Sequence, residues 1–164
     1  MAWNLLIINI DSMHTLPISD QPRESGTIFT IGEAADLLGV SVPTLRAYEH
    51  HGLIIPLRGS TRQHRHYRAD DLERLRCIRR MIQVEKVSIA GMRRLLALIP
   101  CWKIKDCPPQ DRESCPAFLE HDAPCWAKTR RAGVCKNPQC RTCPVYSNSA
   151  DCSTLKSTIA HYTL

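Results

Sequence analysis

The sequence predicts a mainly α-helical protein: a winged helix-turn-helix followed by a small, irregular, cysteine-rich metal-binding module. Three observations carry this expectation. Short amphipathic stretches with capping residues recur between residues 30 and 99. A polar, arginine-rich turn interrupts them near residue 60. Eight of the nine cysteines lie between Cys101 and Cys152, after an abrupt change at Pro100–Cys101. The expected divisions are a flexible arm at 1–27, a winged helix-turn-helix at 28–99, a cysteine-rich sensor module at 100–152 and a tail at 153–164.

The arm carries Pro17, Pro22 and Gly26 among small polar residues, and Met13 is a second candidate start. Thr30-Ile31-Gly32-Glu33 has the spacing of a capping box, in which hydroxyl and carboxylate each satisfy an orphan N–H. Ile31, Ala34, Ala35 and Leu38 then share one helical face, and Gly39 suits the left-handed position that ends a helix. Ser41 caps a second helix through Tyr48 and Glu49 that stops at Gly52. Two short helices so joined make a helix-turn-helix. Leu53-Ile54-Ile55-Pro56 reads as an apolar strand entering the turn Arg58 to Tyr67, which makes a hairpin wing. A helix from Asp70 to Gln83 turns Leu72, Leu75, Ile78 and Ile82 inward, with Cys77 a semi-buried small residue beside that stripe. Ser88 caps a last helix bearing Ile89, Met92, Leu95, Leu96 and Ile99, and Pro100 ends it.

Composition narrows the function. The net charge of +6 is uneven: residues 28–99 hold twelve Lys/Arg against seven Asp/Glu, residues 100–152 add +2, and residues 1–27 carry −2. Positive charge gathered on one domain favours a polyanion such as double-stranded DNA. No run reaches the roughly 18 apolar residues of a membrane span. The apolar start lacks a basic flank and a cleavage site, so neither signal peptide nor membrane contact is expected, and the location is cytoplasmic. An odd number of cysteines argues against a secreted disulfide scaffold and for metal or redox chemistry in a reducing compartment. With no Gly-rich phosphate loop, paired carboxylates or nucleophile–base pair, an enzyme is not expected.

FTIGEAADLLGVS, TLRAYEHHGLI, Pro56, Arg58, Arg65-His66-Tyr67 and DDLERLRCI occur in one order over residues 29–99. This stretch resembles the DNA-binding domain of the MerR family of transcription regulators, and within it the heat-shock-repressor-like branch. The resemblance implies a sequence-specific DNA-binding regulator. Its second helix would enter the major groove with Ser41, Thr44 and Arg46, and Tyr48 would contact a backbone or pack. Arg58, Arg62, Arg65 and Tyr67 on the wing would hold phosphates, Tyr67 having packing as its other reading. Arginine suits this work because its planar fork binds phosphate or guanine bidentately. His50, His51, His64 and His66 read as exposed wing residues, not ligands. A homodimer on a palindromic operator, and contact with RNA polymerase, are further implications. The chain departs from the family at Pro100, where a long dimer-forming helix usually continues.

The cysteine segment repeats weakly. Pro100-Cys101-Trp102 opens a unit closed by Cys115-Pro116-Ala117-Phe118; Pro124-Cys125-Trp126 opens another closed by Cys143-Pro144-Val145-Tyr146. It is similar to the two-CW cysteine modules of bacterial signalling proteins. Tryptophans and closing aromatics are expected to pack together. Cys125, Cys135, Cys140 and Cys143 form the leading ligand set, because Cys-x4-Cys-x2-Cys with a remote thiolate suits an iron–sulfur cluster. Zinc is the alternative, since it accepts four thiolates. Cys101, Cys107, Cys115 and Cys152, with His121, are secondary ligands. Lys128, Arg130, Arg131, Lys136 and Arg141 are expected to favour thiolates nearby. The module would sense redox state or metal; the other reading is a structural zinc domain that recruits a partner to DNA.

Overall fold

The computed structural model describes residues 26–59, 64–129, 133–135, 139–150, 155, 157 and 159–161. The expected arm, apart from 26–27, and most of the tail lie outside them. So do Arg62, Arg130, Arg131, Lys136 and Cys152.

The fold is mainly helical around one small sheet. Strand β1 (Ile28–Thr30) leads into α1 (Ile31–Leu38), and α2 (Val42–His50) follows one turn later. The capping box forms as its spacing predicts: Thr30 Oγ1 accepts from Glu33 N–H at 3.3 Å, and Glu33 Oε2 accepts from Thr30 N–H at 2.7 Å. The Thr30 backbone bond holds the Glu33 carboxyl below its usual range. Gly39 takes the left-handed conformation (φ 59°) and ends α1.

β2 (Leu57–Arg58) and β3 (Arg65–Arg68) form the wing, and β1 pairs antiparallel to the other side of β3 in the order β1-β3-β2. Phe29 faces Tyr67 and Leu57 faces His66. The expected apolar strand at 53–56 is instead irregular, with Leu53 and Ile54 buried; the wing's first strand begins at Leu57. In this stretch Leu53 N–H donates to Tyr48 O, while Ile55 N–H and C=O bond to side chains of the cysteine segment.

α3 (Ala69–Gln83) and α4 (Ile89–Ala97) complete the first part. Ser88 caps α4 by accepting from Gly91 N–H at 3.0 Å. Leu38, Leu45, Leu53, Leu72, Leu75, Ile78, Met92, Leu96 and Ile99 make the core, the inward face that helical periodicity marks. After Pro100 come three one-turn helices, α5 (Cys101–Ile104), α6 (Pro109–Arg112) and α7 (Pro116–Leu119). Short 3-10 turns at Cys125–Ala127, Gly133–Cys135 and Cys140–Thr142 precede α8 (Pro144–Ser147). Trp126, Val145 and Tyr146 join the same core as α1–α4. Among the described residues, no helix is long and apolar enough to cross a membrane.

Candidate nucleic-acid interface and thiol pocket

Helix α2 is short and amphipathic. Leu45 and Tyr48 face the core, while Arg46 is exposed one residue beyond Leu45. Ser41 and Thr44 cap this helix: Ser41 Oγ accepts from Thr44 N–H at 3.2 Å, and the two hydroxyls lie 2.8 Å apart. A helix N-terminus of this kind presents N–H groups to a phosphate. Arg58 on β2 is exposed.

Two expected contacts need correction. Tyr48 and Tyr67 are 3% and 0% exposed, so neither ring reaches the surface. Tyr67 donates from its hydroxyl to Glu49 Oε1, and burial together with that carboxylate pushes its pKa far above the usual phenol value. Packing, not phosphate binding, is what both tyrosines do here. Arg65 is half-buried and donates from Nε to Glu49 Oε2 at 2.5 Å. Glu49, one turn beyond Arg46, therefore pins the wing strand β3 to α2. No local pattern signals this role, because its partners lie 16 and 18 residues away.

The repeat in the cysteine segment is visible in three dimensions. Trp102 meets Phe118 and Trp126 meets Tyr146 edge-on, both with centroids 5.1 Å apart. Each tryptophan thus packs on the closing aromatic of its own unit. The closing turns also match: Phe118 N–H donates to Cys115 O and Tyr146 N–H to Cys143 O, both at 2.9 Å.

The two units share one apolar pocket. Cys101, Cys107 and Cys115 from the first and Cys125 and Cys135 from the second line it, with Trp102, Ala117 and Phe118. Cys101, Cys107, Cys115, Cys125, Cys135 and Cys143 are free thiols. Cys125 donates a hydrogen bond to the Cys101 sulfur; that bond lowers the Cys101 pKa and, with burial and nearby thiols, raises that of Cys125. Burial first, then Cys143 and Cys101, raises Cys135. Burial, then Asp111, raises Cys107.

Of the expected four-thiolate set, Cys125 and Cys135 line the pocket, and Cys143 acts electrostatically on both. Cys140 packs against the core, and neither it nor Cys143 lines the pocket. Among the described residues, no group of three or more His, Cys, Asp or Glu side chains is arranged to hold a metal ion. Thiol sulfur suits a soft metal by donor type, but the described residues do not by themselves form a four-thiolate centre. His121 is exposed and away from the pocket lining. The cations are also placed differently from expectation. Lys128 pairs with Glu120 and Asp122, and Arg141 with Asp71, whereas Lys105 and Arg112 line the pocket. Cys77, expected as a plain semi-buried residue, is disulfide-bonded.

Side chains next to these cysteines grip the connector between α2 and the wing. Trp126 Nε1–H donates to Gly52 O at 2.8 Å, Ile55 N–H donates to the Tyr146 hydroxyl at 3.0 Å, and Arg141 donates to Ile55 O. Gly52 has φ 70°, and a Cβ there would lie 2.5 Å from the Ala127 Cβ. Behind the connector, Arg74 of α3 is 2% exposed, with its guanidinium 3.8 Å from the Tyr146 ring centroid. It donates to Tyr146 O and to Ser149 Oγ, the latter at 2.8 Å.

Comparison with known proteins agrees with the first half of this architecture. Residues 29–99 match the family described as MerR HTH family regulatory protein. The chain is 37% identical over 75 residues to a putative heat shock protein HspR of Streptomyces coelicolor, covering 46% of this chain and 49% of that protein. It is 44% identical over 68 residues to a probable heavy metal-dependent transcriptional regulator of Haemophilus influenzae, covering 42% of this chain and 52% of that protein. The chain thus spans about half the length of these curated relatives. No solved structure matches it. With α1 and α2 joined through Gly39, and the wing and α3–α4 behind them, residues 29–99 are a MerR-family helix-turn-helix domain.

Proposed function

We propose that the chain is a sequence-specific DNA-binding transcription regulator whose cysteine segment senses thiol-reactive chemistry, redox state or a thiophilic metal. The observation that carries the DNA reading is the Glu49 clamp. It fixes the wing, with Arg58 and Arg65, relative to the helix that presents Arg46. A rigid pair of this kind suits simultaneous contact with a major groove and the flanking phosphates, where phosphate contacts set register and base contacts specify. Two copies on a palindromic operator would place their α2 helices on centres roughly 34–36 Å apart. The sensing role rests on the three side chains that hold the connector, because Trp126 and Arg141 adjoin Cys125 and Cys140. A change of state at the sulfurs would move the connector and, with it, the angle between α2 and the wing.

The metal arm follows the name of the Haemophilus influenzae relative and the softness of sulfur donors. The redox arm needs only two sulfurs and matches the Cys101–Cys125 contact directly.

The test is selection of an operator from random duplexes by the full chain, followed by fluorescence anisotropy at fixed salt. Arg46→Ala should lose about 1–3 kcal/mol, roughly 10- to 100-fold, on the selected site and relax its sequence preference. A wild-type chain that binds selected and random DNA equally would overturn the proposal.

A further inference from the structure

We propose that Cys101 and Cys125 form a redox-active dithiol pair that closes to a disulfide when a peroxide enters the thiol pocket. Its consequence for DNA rests on the function proposed above; the chemistry does not.

Pro-Cys-Trp opens each half-unit, and the fold brings the two opening cysteines together although 24 residues separate them. Cys125 donates a hydrogen bond to the Cys101 sulfur, both are free thiols, and both line one apolar pocket. Each is partly exposed, so a molecule the size of hydrogen peroxide has a route to them. Their surroundings are held firm: Trp102 by Phe118 on one side, Trp126 by Tyr146 on the other. Two interacting thiols that line one pocket within a fixed frame need little reorganisation to bond.

The chemistry balances with one peroxide. One sulfur of the pair attacks a peroxide oxygen, the O–O bond breaks, and water leaves with that thiol's proton, which gives a sulfenic acid. The second sulfur attacks the first, the S–O bond breaks, the S–S bond forms, and a second water leaves with the remaining proton. Two thiols are oxidised and one peroxide is reduced to two waters. A small thiol reverses the bond by exchange.

The position of the bond gives it reach. Cys101 follows α4 across Pro100, and Cys125 adjoins Trp126, whose indole N–H holds Gly52 O at the exit of α2. Closure would tie the end of α4 to the side chain that anchors the connector.

The experiment uses the full chain, reduced, exposed to stoichiometric hydrogen peroxide, alkylated, digested and analysed by mass spectrometry. A Cys101–Cys125 linked peptide should be the first new disulfide. It should vanish in Cys101→Ala and Cys125→Ala and persist in Cys107→Ala, with circular dichroism reporting that each variant is folded. If either cysteine variant fails to fold, the order of disulfides in the wild type decides alone. First closure at another pair, the Cys77 disulfide apart, or sulfinic acid at Cys101 with no disulfide, overturns the proposal. Operator affinity of the oxidised and reduced wild type is the second readout, expected to differ at least several-fold. A linked peptide with unchanged affinity supports the dithiol and removes the sensing half of the proposed function.

Discussion

A buried phenol hydroxyl must keep a partner where water cannot reach, and Glu49 supplies one to Tyr67 while also binding Arg65. Tyr67→Phe removes that bond and leaves the carboxylate one donor short, at a cost of about 1–3 kcal/mol in urea denaturation. Because the ring is fully buried, the salt dependence of DNA binding should not change. Arg58→Ala should do the reverse: stability within about 0.5 kcal/mol of wild type, and a salt slope smaller by about 1. If Tyr67→Phe lowers the slope as well, the tyrosine reaches phosphate and the packing assignment falls. The sulfurs show the same logic. The hydrogen bond from Cys125 lowers the Cys101 pKa, whereas that bond and burial raise the pKa of Cys125. The thiolate is the nucleophile, so Cys101, whose pKa is lowered, is the more readily ionised of the two. Iodoacetamide should therefore label Cys101 ahead of Cys125. Equal rates would mean that the bond runs otherwise.

At the scale of elements, the connector between α2 and the wing takes its form from residues far along the chain. Its partners Trp126, Arg141 and Tyr146 lie 74, 86 and 91 positions away. Trp126→Phe keeps an aromatic ring against Tyr146 but strands Gly52 O, for an expected loss of about 1–3 kcal/mol and weaker operator binding. Gly52→Ala combines a left-handed backbone with a Cβ 2.5 Å from that of Ala127, so it should destabilise more than Gly32→Ala, whose Cβ meets nothing closer than 4.0 Å. Thermal melts of the two variants side by side check this. The same contrast explains what was legible in the sequence. Caps at Thr30, Ser41 and Ser88 are set by residues three positions on, so α1, α2 and α4 could be read directly. The strand expected at 53–56 could not be corrected locally, since nothing nearby shows that the Ile55 N–H and C=O are taken by a tyrosine and an arginine. For the thiols, spacing within the second unit pointed to Cys135, Cys140 and Cys143. The Pro-Cys-Trp repeat was the better signal, because the contact forms between repeats.

For the whole molecule, the question is whether the helix-turn-helix domain stands without the cysteine segment. Arg74 shows how closely the two parts are joined, and the apolar side chains around it argue that the domain does not. Its guanidinium is buried beneath Tyr146, its hydrogen bonds go to Tyr146 O and Ser149, and Asp71 beside it pairs with Arg141 at 2.7 Å. Burial lowers the Arg74 pKa, Arg141 acts the same way, and Tyr146 and Asp71 oppose the shift, so the cysteine segment both covers this charge and supplies the groups that satisfy it. Trp126, Val145 and Tyr146 add apolar area to the core, each side chain worth roughly 1.5–3 kcal/mol by transfer. Their sum, about 5 kcal/mol or more, is comparable to the whole stability of a small domain. Removing residues 100–164 should therefore leave a fragment without a cooperative transition, not a free-standing DNA reader. In a Trp3→Phe version of the full chain, tryptophan fluorescence follows Trp102 and Trp126, and far-ultraviolet dichroism follows mainly α1–α4. The two signals should trace one urea transition with one midpoint. Separate midpoints, or a fragment 1–99 that melts cooperatively near the full chain's temperature, would show that the halves fold independently. The connector would then be held by contacts too weak to carry a signal from sulfur to DNA.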